Sequence, residues 1–571
     1  MVWSLTVVLT AITVAPDAQA PKAPPVTQQM LVNPSPDDWL MYSRTYDAQR
    51  YSPLKQINRQ NVANLKPAWV HELGNGTIES IPIVYRGVMY VVLPGAGVRA
   101  LDGATGATLW EYKRQAGASR TKCLAIFEDL LFYTAPDGFI VALDTQTGKV
   151  RWETKSTGGF TSGPIVVEGK VLTGRTCGGR RENCYVSAHD ARTGQEVWRF
   201  YTAAGDDDPG GKTWGNAPEA TRSAATWGLP GTYDPVRRLI YWGVANPTPN
   251  TRSVRHGGNP DAIPTFAPAD LYSNSTVALN PDTGKLAWYY QHLPGDDWDE
   301  DYTHERTLFR TPVRPDPKFV KWINPDVPRG QARDVAVTVG EGGGIWALDR
   351  GTGQFLWATP FPYDVKNFII SSIDVKTGIT HLNTDLIFRE PGQRHVLCYW
   401  NTRSYWPLAY HPGQNSLYIP FADNCMDMTS AIPAAGDQPG KTEQRVGSVR
   451  SGVAMDSFTG VAKINMATGE MKRIYTGRAP GNGAMLATAG DLVFWGDLGD
   501  HFRAFDAING KTLWETTLQG PIQNSTITYG TNGKQYIAVL SGEGLLTERL
   551  MGQVGLKPTR GHNAVHVFAL P

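Results

Sequence analysis

One phrase recurs through this 571-residue chain and limits what it can fold into: a short apolar run ending in Leu-Asp or a close variant, a turn, Thr-Gly, then three residues and Trp. It reads ALDGATGATLW at 100–110, ALDTQTGKVRW at 142–152, AHDARTGQEVW at 188–198, ALNPDTGKLAW at 278–288 and ALDRGTGQFLW at 347–357. AFDAINGKTLW at 504–514 keeps its shape, and KINMATGEMKRI at 463–474 keeps the turn but loses the Trp. LKPAW at 65–69 reads as a first copy without its turn. Each phrase is a strand, a tight Asp/Gly turn and a second strand, hence a hairpin. Where nothing intervenes, neighbouring copies lie about 40 to 46 residues apart, the length of one four-stranded blade. Eight copies predict an all-β chain folded as an eight-bladed β-propeller, with long loops gathered on one face.

The phrase runs from one end of the chain to the other, so the length is expected to form one large propeller and not several domains. Residues 1–20 (MVWSLTVVLTAITVAPDAQA) are apolar and close in Ala-Gln-Ala, a signal-peptide pattern without the usual basic start. The apolar run is too short for a comfortable membrane span, so no stable anchor and a periplasmic, exported protein are expected. Residues 21–36, rich in Pro and Gln, are expected as an extended tail, and 37–571 as the propeller domain. Lys plus Arg total 54 against 53 Asp plus Glu, which leaves no electrostatic footprint for nucleic acid. The spacings of Cys177 with Cys184 and of Cys398 with Cys425 allow two disulfides or buried thiols, with Cys123 left over. No Cys-x-x-Cys-His occurs in the chain, so no c-type haem attached to it is expected.

The repeat phrase, together with LYSNSTVALNPDTGKLAWYYQ (271–291), LPGDDWDEDYTHE (293–305) and GKQYIAVLSG (533–542), resembles the quinoprotein alcohol dehydrogenases of the soluble, haem-free type. In that family eight-bladed propellers hold pyrroloquinoline quinone (PQQ) over a metal ion on the axis, and each blade's Trp packs on its neighbour. The resemblance implies alcohol oxidation by hydride transfer to PQQ, one calcium or lanthanide ion, and a c-type cytochrome or another soluble acceptor for the electrons. It makes Asp299, in Trp-Asp-Glu-Asp, the general base and a metal ligand. Asn246 matches a metal ligand, and Asp301 falls where lanthanide-preferring members carry an additional carboxylate. Trp227 matches the floor under the quinone, and Thr226 beside it matches a donor to a cofactor oxygen. Glu79, Thr161 and Asn482 match cofactor contacts, Asn482 being read as part of the closing blade. Lys122 stands where the family places an arginine near the quinone oxygens.

The sequence also departs from the pattern. The adjacent-cysteine disulfide that covers the quinone in many members has no counterpart before Lys122. Gly179 stands where a metal-binding glutamate is expected; Glu182, three residues on, is the substitute ligand if the loop folds back. The family's supporting cation is missing near Glu341, and Tyr405 replaces an asparagine. These changes predict a mouth with less bulk and less positive charge, suited to a bulky secondary alcohol, as in the trichothecene-oxidising members. Two other readings share the repeat: a non-catalytic scaffold of the outer-membrane assembly type, and a polymer-oxidising polyvinyl alcohol dehydrogenase.

Overall fold

The computed structural model describes residues 20–118, 120–400, 402–434, 444–523, 525–561 and 563–571. The expected signal peptide lies outside the described residues except for Ala20. Six sheets of four strands and two of five make up the body, and within each the strands run antiparallel in chain order apart from short additions. A typical sheet is Ile83–Tyr85, Val88–Leu93, Gly97–Asp102 and Thr108–Lys113, whose outermost strand carries Trp110. The sheet of Ile527–Thr531, Lys534–Ser541 and Ala564–Ala569 takes its outermost strand, Lys66–Glu72, from the other end of the chain. That pairing closes the ring, so LKPAW is indeed a copy whose own hairpin partner comes from the C-terminus.

The phrase dictates this arrangement through three local rules. The Asp102 carboxylate accepts from the backbone N–H of Ala104 and of Thr105 and from the Thr105 hydroxyl, at 3.0, 2.8 and 2.9 Å, which fixes the turn. The same trio repeats at Asp144, Asp190, Asn280 and Asp349. The glycine then turns through positive φ, +68° at Gly148, and leaves room for the preceding sheet's Trp. A Cβ at Gly148 would stand 2.4 Å from the Trp110 ring, while the Trp110 indole N–H donates to the Thr145 carbonyl at 2.9 Å. Trp69, Trp152 and Trp198 donate in the same way to Gly103, Ala191 and Pro281. Where the Trp is lost, Ile474 fills the place against Gly510.

Two features differ from expectation. The tail is not simply extended: it contains the helix Gln28–Val32, and Val26 and Leu31 are buried, because Val26 bridges to Glu128 and ties the tail across two sheets. A further Asp-x-x-Thr-Gly turn, at Asp374 to Gly378, builds no body sheet; it caps the two-stranded hairpin Ile370–Ile373 and Thr380–Leu382. Two insertions interrupt the repeat. One is a three-stranded sheet, Arg394–Cys398, Asn424–Thr429 and Gln444–Val449, in which Cys398 is bonded to Cys425. The other is the helix Thr547–Gln553, set between the last two strands of the closing sheet. Cys177 is bonded to Cys184, and Cys123 is a buried free thiol.

Candidate active site

Innermost strands begin just after Glu79, Thr161 and Asn482, so these polar residues sit at the inner ends of their sheets. Asn482 precedes Leu486–Thr488 and therefore belongs to the sheet before the closing one, not to the closing blade. A cavity of about 290 Å³ opens at this level. Glu79, Lys122, Thr161, Trp227, Asp299 and Asp301 line it, six of the residues expected from the sequence.

The acidic run 296–301 divides into staples and site. Asp296 accepts from the backbone N–H groups of Trp298, Asp299 and Glu300 at 2.5, 3.1 and 2.9 Å, and Asp297 accepts from those of Arg252 and Phe388. Burial pushes the Asp296 carboxyl up to about 6, against the pull of those donors. So anchored, the loop carries Asp299 at φ 69°, a conformation unfavourable for a non-glycine residue, and turns it toward the cavity. The Asp299 carboxylate forms an ion pair with Arg445, which arrives from the inserted strand Gln444–Val449.

Asp301 ties the other pieces together. One of its oxygens accepts from the Trp227 indole N–H at 2.8 Å, the other from the Asn246 backbone N–H at 3.0 Å. Its own N–H donates to the Glu341 carboxylate at 3.2 Å. Burial, then the neighbouring Asp299 charge, raise the Asp301 carboxyl to about 7 in spite of those two donors. Burial and the same two aspartates hold Glu341 well above the usual carboxylate range. The Asn246 amide nitrogen is engaged by the Pro247 carbonyl and by Asn250, at 3.3 and 2.9 Å, which leaves the amide oxygen for another partner.

The quinone-side residues form a second group. Trp227 and Tyr405 stand edge to face with centroids 5.9 Å apart. The Lys122 ammonium lies 4.4 Å from the Tyr405 ring centre and 5.2 Å from that of Trp227, and 3.5 Å from the Glu79 carboxylate. Burial pushes the Lys122 amine down, offset in part by Glu79. Glu79 also accepts from the Tyr405 hydroxyl at 2.7 Å and from the Leu545 N–H at 2.8 Å. Thr161 donates to the Trp227 carbonyl at 2.7 Å, which positions the indole.

Three expected residues are placed elsewhere. The Thr226 hydroxyl is occupied by the Arg175 N–H at 2.7 Å, so it braces the segment that carries Trp227 and does not line the cavity. Asn482 is buried and does not line the cavity, its amide nitrogen without a partner among the described residues. Glu182 corrects the expected ligand set. Its side chain is 70% exposed on the short helix Arg181–Asn183, facing Arg180 at 3.7 Å and outside the cavity. Gly178 and Gly179 turn the disulfide loop at φ 62° and 73°, and the carboxylate that meets Asp301 is that of Glu341. Further residues complete the lining of the mouth. Trp400, Tyr405, Leu545 and Leu546 wall the cavity, and Arg120, Arg549 and the Arg445 pair supply cations. A glutamate inside the Gly-rich run 340–344 was a usable signal for Glu341; nothing local pointed to Arg445 or Arg549.

The chain is similar to known proteins along most of its length. The model of the PQQ family, glucose/ethanol/alcohol dehydrogenase β-propeller domain, matches residues 39–125, 153–360 and 449–537. The quinohemoprotein alcohol dehydrogenase ADH-IIG of Pseudomonas putida is 30% identical over 566 residues, 91% of this chain and 74% of that protein. The dehydrogenase subunit of an alcohol dehydrogenase (quinone) from Gluconobacter oxydans is 30% identical, over 94% and 74% of the two chains. Among solved structures, a europium-containing methanol dehydrogenase superposes with a TM-score of 0.81 at 28% identity, covering 95% of this chain and all of that one.

Proposed function

The chain belongs to the PQQ-dependent alcohol dehydrogenase family, and we propose that it oxidises an alcohol to the carbonyl compound in the cavity above Trp227, with Asp299 as the base. The observation that carries this reading is the Asp301 carboxylate: it joins the Trp227 indole to the Asn246 backbone directly beside Asp299. A packing role requires none of these buried polar contacts, and a scaffold has no use for a base held at positive φ.

The residues fit the groups the family uses. Asp299, Asp301 and the Asn246 amide oxygen offer hard oxygen donors suited to calcium or a lanthanide, with Glu341 in reach of Asp301. A cation there would offset the mutual repulsion that lifts Asp301 and Glu341. Among the described residues no three acidic, His or Cys side chains converge, so a cation held by Asp299, Asp301 and Asn246 would need further oxygen donors to complete its shell. When bound, PQQ supplies the acceptor for the hydride and the cation a Lewis acid that polarises it. Trp227 offers the flat face, while Lys122 and Thr161 hold position around it. Asp299 takes the hydroxyl proton, and Arg445 orients its carboxylate. Trp400, Tyr405 and Leu546 exclude water.

The apolar wall beyond Asp299 suits an alcohol with a body larger than ethanol, bulky secondary alcohols included. The leader-like residues 1–20 support a periplasmic location, with electrons passed to a c-type cytochrome or another soluble acceptor. No helix of the described residues is long and apolar enough to cross a membrane. The test is dye reduction by purified protein given PQQ with calcium or a light lanthanide. Activity should require both additions and fall in Asp299→Asn with PQQ binding retained; an Asp299→Asn protein of full activity would defeat the assignment.

A further inference from the structure

The oxygen donors proposed for the cation come from two separate stretches of chain. Asn246 opens the long loop 247–271, and Asp299 and Asp301 follow the strand Leu286–Gln291. One buried side chain grips both stretches. Arg255, in the short helix Arg252–Arg255, has only 2% of its side chain exposed. Its guanidinium donates to the Pro249 and Asn250 carbonyls at 2.5 and 2.8 Å on one side, and to the Asp296 carbonyl at 2.9 Å on the other. Buried Asp270 pairs with the guanidinium at 2.9 Å and fixes the plane of the fork. Arg255, Asn250 and Asp270 do not line the cavity, so any part they play in it passes through other residues.

Each grip leads by one further bond to a donor. The Asn250 side-chain oxygen accepts from the Asn246 amide nitrogen at 2.9 Å, which decides the end of that amide left for an ion. The Asp296 carboxylate accepts from the backbone N–H groups of Asp299 and Glu300, and so holds the turn that carries Asp299 and leads into Asp301. A cation bound between the two stretches draws oxygens from both, so its shell depends on their spacing as well as on the ligands themselves. We propose that Arg255 and Asn250 are positioning residues of the cation site: Arg255 sets the spacing of its two halves, and Asn250 the orientation of the Asn246 amide. The inference rests on the reading of Asn246, Asp299 and Asp301 as cation donors. A packing role for Arg255 needs only the Asp270 pair, whereas its carbonyl contacts tie it to both halves of the donor set. The planar fork reaches these partners together; a lysine would keep the charge beside Asp270 and lose the span.

Calorimetric titration of calcium, and separately of lanthanum, into protein given PQQ tests this, with Tm of the metal-free protein reporting the fold. Asn250→Ala keeps the backbone carbonyl that Arg255 grips and should weaken both ions about tenfold, as loss of a group that orients a ligand does. On an Asn246→Ala background the same change should have no further effect, because the amide it orients is gone. Arg255→Lys should weaken both ions about tenfold or more on either background, since it releases the aspartate half as well. An Arg255→Lys protein whose Tm falls while its ion affinities match the wild type overturns the inference and leaves Arg255 a structural residue. So does an Asn250→Ala change that weakens binding equally with and without the Asn246 amide, or an Arg255→Lys change that is silent on the Asn246→Ala background. A wild-type protein that binds neither ion overturns the donor assignment itself, and the inference with it.

Discussion

The belt of Trp–Gly contacts and the cavity at the centre of the ring are built on opposite principles. In the belt every element is local and repeated: an Asp turn, a glycine at positive φ, and an indole from the neighbouring sheet laid on it. At Trp69, Trp110, Trp152 and Trp198 the indole N–H finds a carbonyl of the next sheet while the ring packs on a glycine, so the contact favours the fold where it recurs. The cavity gathers residues from distant parts of the chain. Trp227 and Asp301 are 74 positions apart, Arg445 and Asp299 146, Tyr405 and Glu79 326. It holds carboxyls that burial and like charge push toward protonation, an arrangement that costs stability and serves chemistry. Regular parts carry the structure; irregular ones strain it for use.

If that division holds, mutations should separate along it. The largest effect belongs to Asp299→Asn, which should lower kcat by a factor of about 10²–10⁴ by removing the base, with Tm little changed. A matched loss of Tm would break the comparison. Next is Trp110→Ala in the belt: removing a buried indole should cost about 3–5 kcal/mol of stability, read from denaturant midpoints, while activity per folded molecule persists. Gly148→Ala should act at the same seam from the other side, since its new methyl would enter the Trp110 ring.

Asp301→Asn sharpens the contrast, because here loss of a site residue should stabilise the metal-free protein. The folded state raises this carboxyl from 3.8 to about 7. Between those values the unfolded chain has released its proton and the fold retains it, so stability falls as pH rises from about 4 to 7 and then levels. Chemical denaturation of metal-free protein at pH 5 and pH 8 should show a smaller decline in Asp301→Asn than in the wild type. Equal declines would show that this carboxyl is not strained. The smallest effect is that of Arg445→Gln, expected to lower kcat about tenfold through a less well-oriented Asp299, with KM less affected and Arg445→Lys recovering part of the loss.

The same division explains what could be read from the sequence. The belt was legible because its rules act within a dozen residues: Asp102, Gly106 and Trp110 announce a turn and a seam in any order of blades. Asp299 and Asp301 stand in a longer string, 293–305, that resembles a family's, and the structure brings them together with Trp227 and Asn246. Glu182 was misplaced because proximity in sequence stood in for proximity in space, and the two positive-φ glycines before it direct the loop to solvent. Trp400, Arg445 and Arg549 at the mouth were not legible, because they come from insertions with no periodic signal. The hairpin at 370–382 carries the turn without the Trp and builds no body sheet, although Tyr290 packs on its Gly378.

The most direct test of the central claim, that this cavity binds PQQ on Trp227 with a cation at Asp299 and Asp301, is a fluorescence titration of metal-free protein with PQQ, with and without calcium or lanthanum. The account predicts saturable quenching at one PQQ per chain that tightens when either ion is present, and that loses its metal dependence in Asp301→Asn. Quenching that fails to saturate with both ions present, in a protein that is otherwise folded, would contradict it.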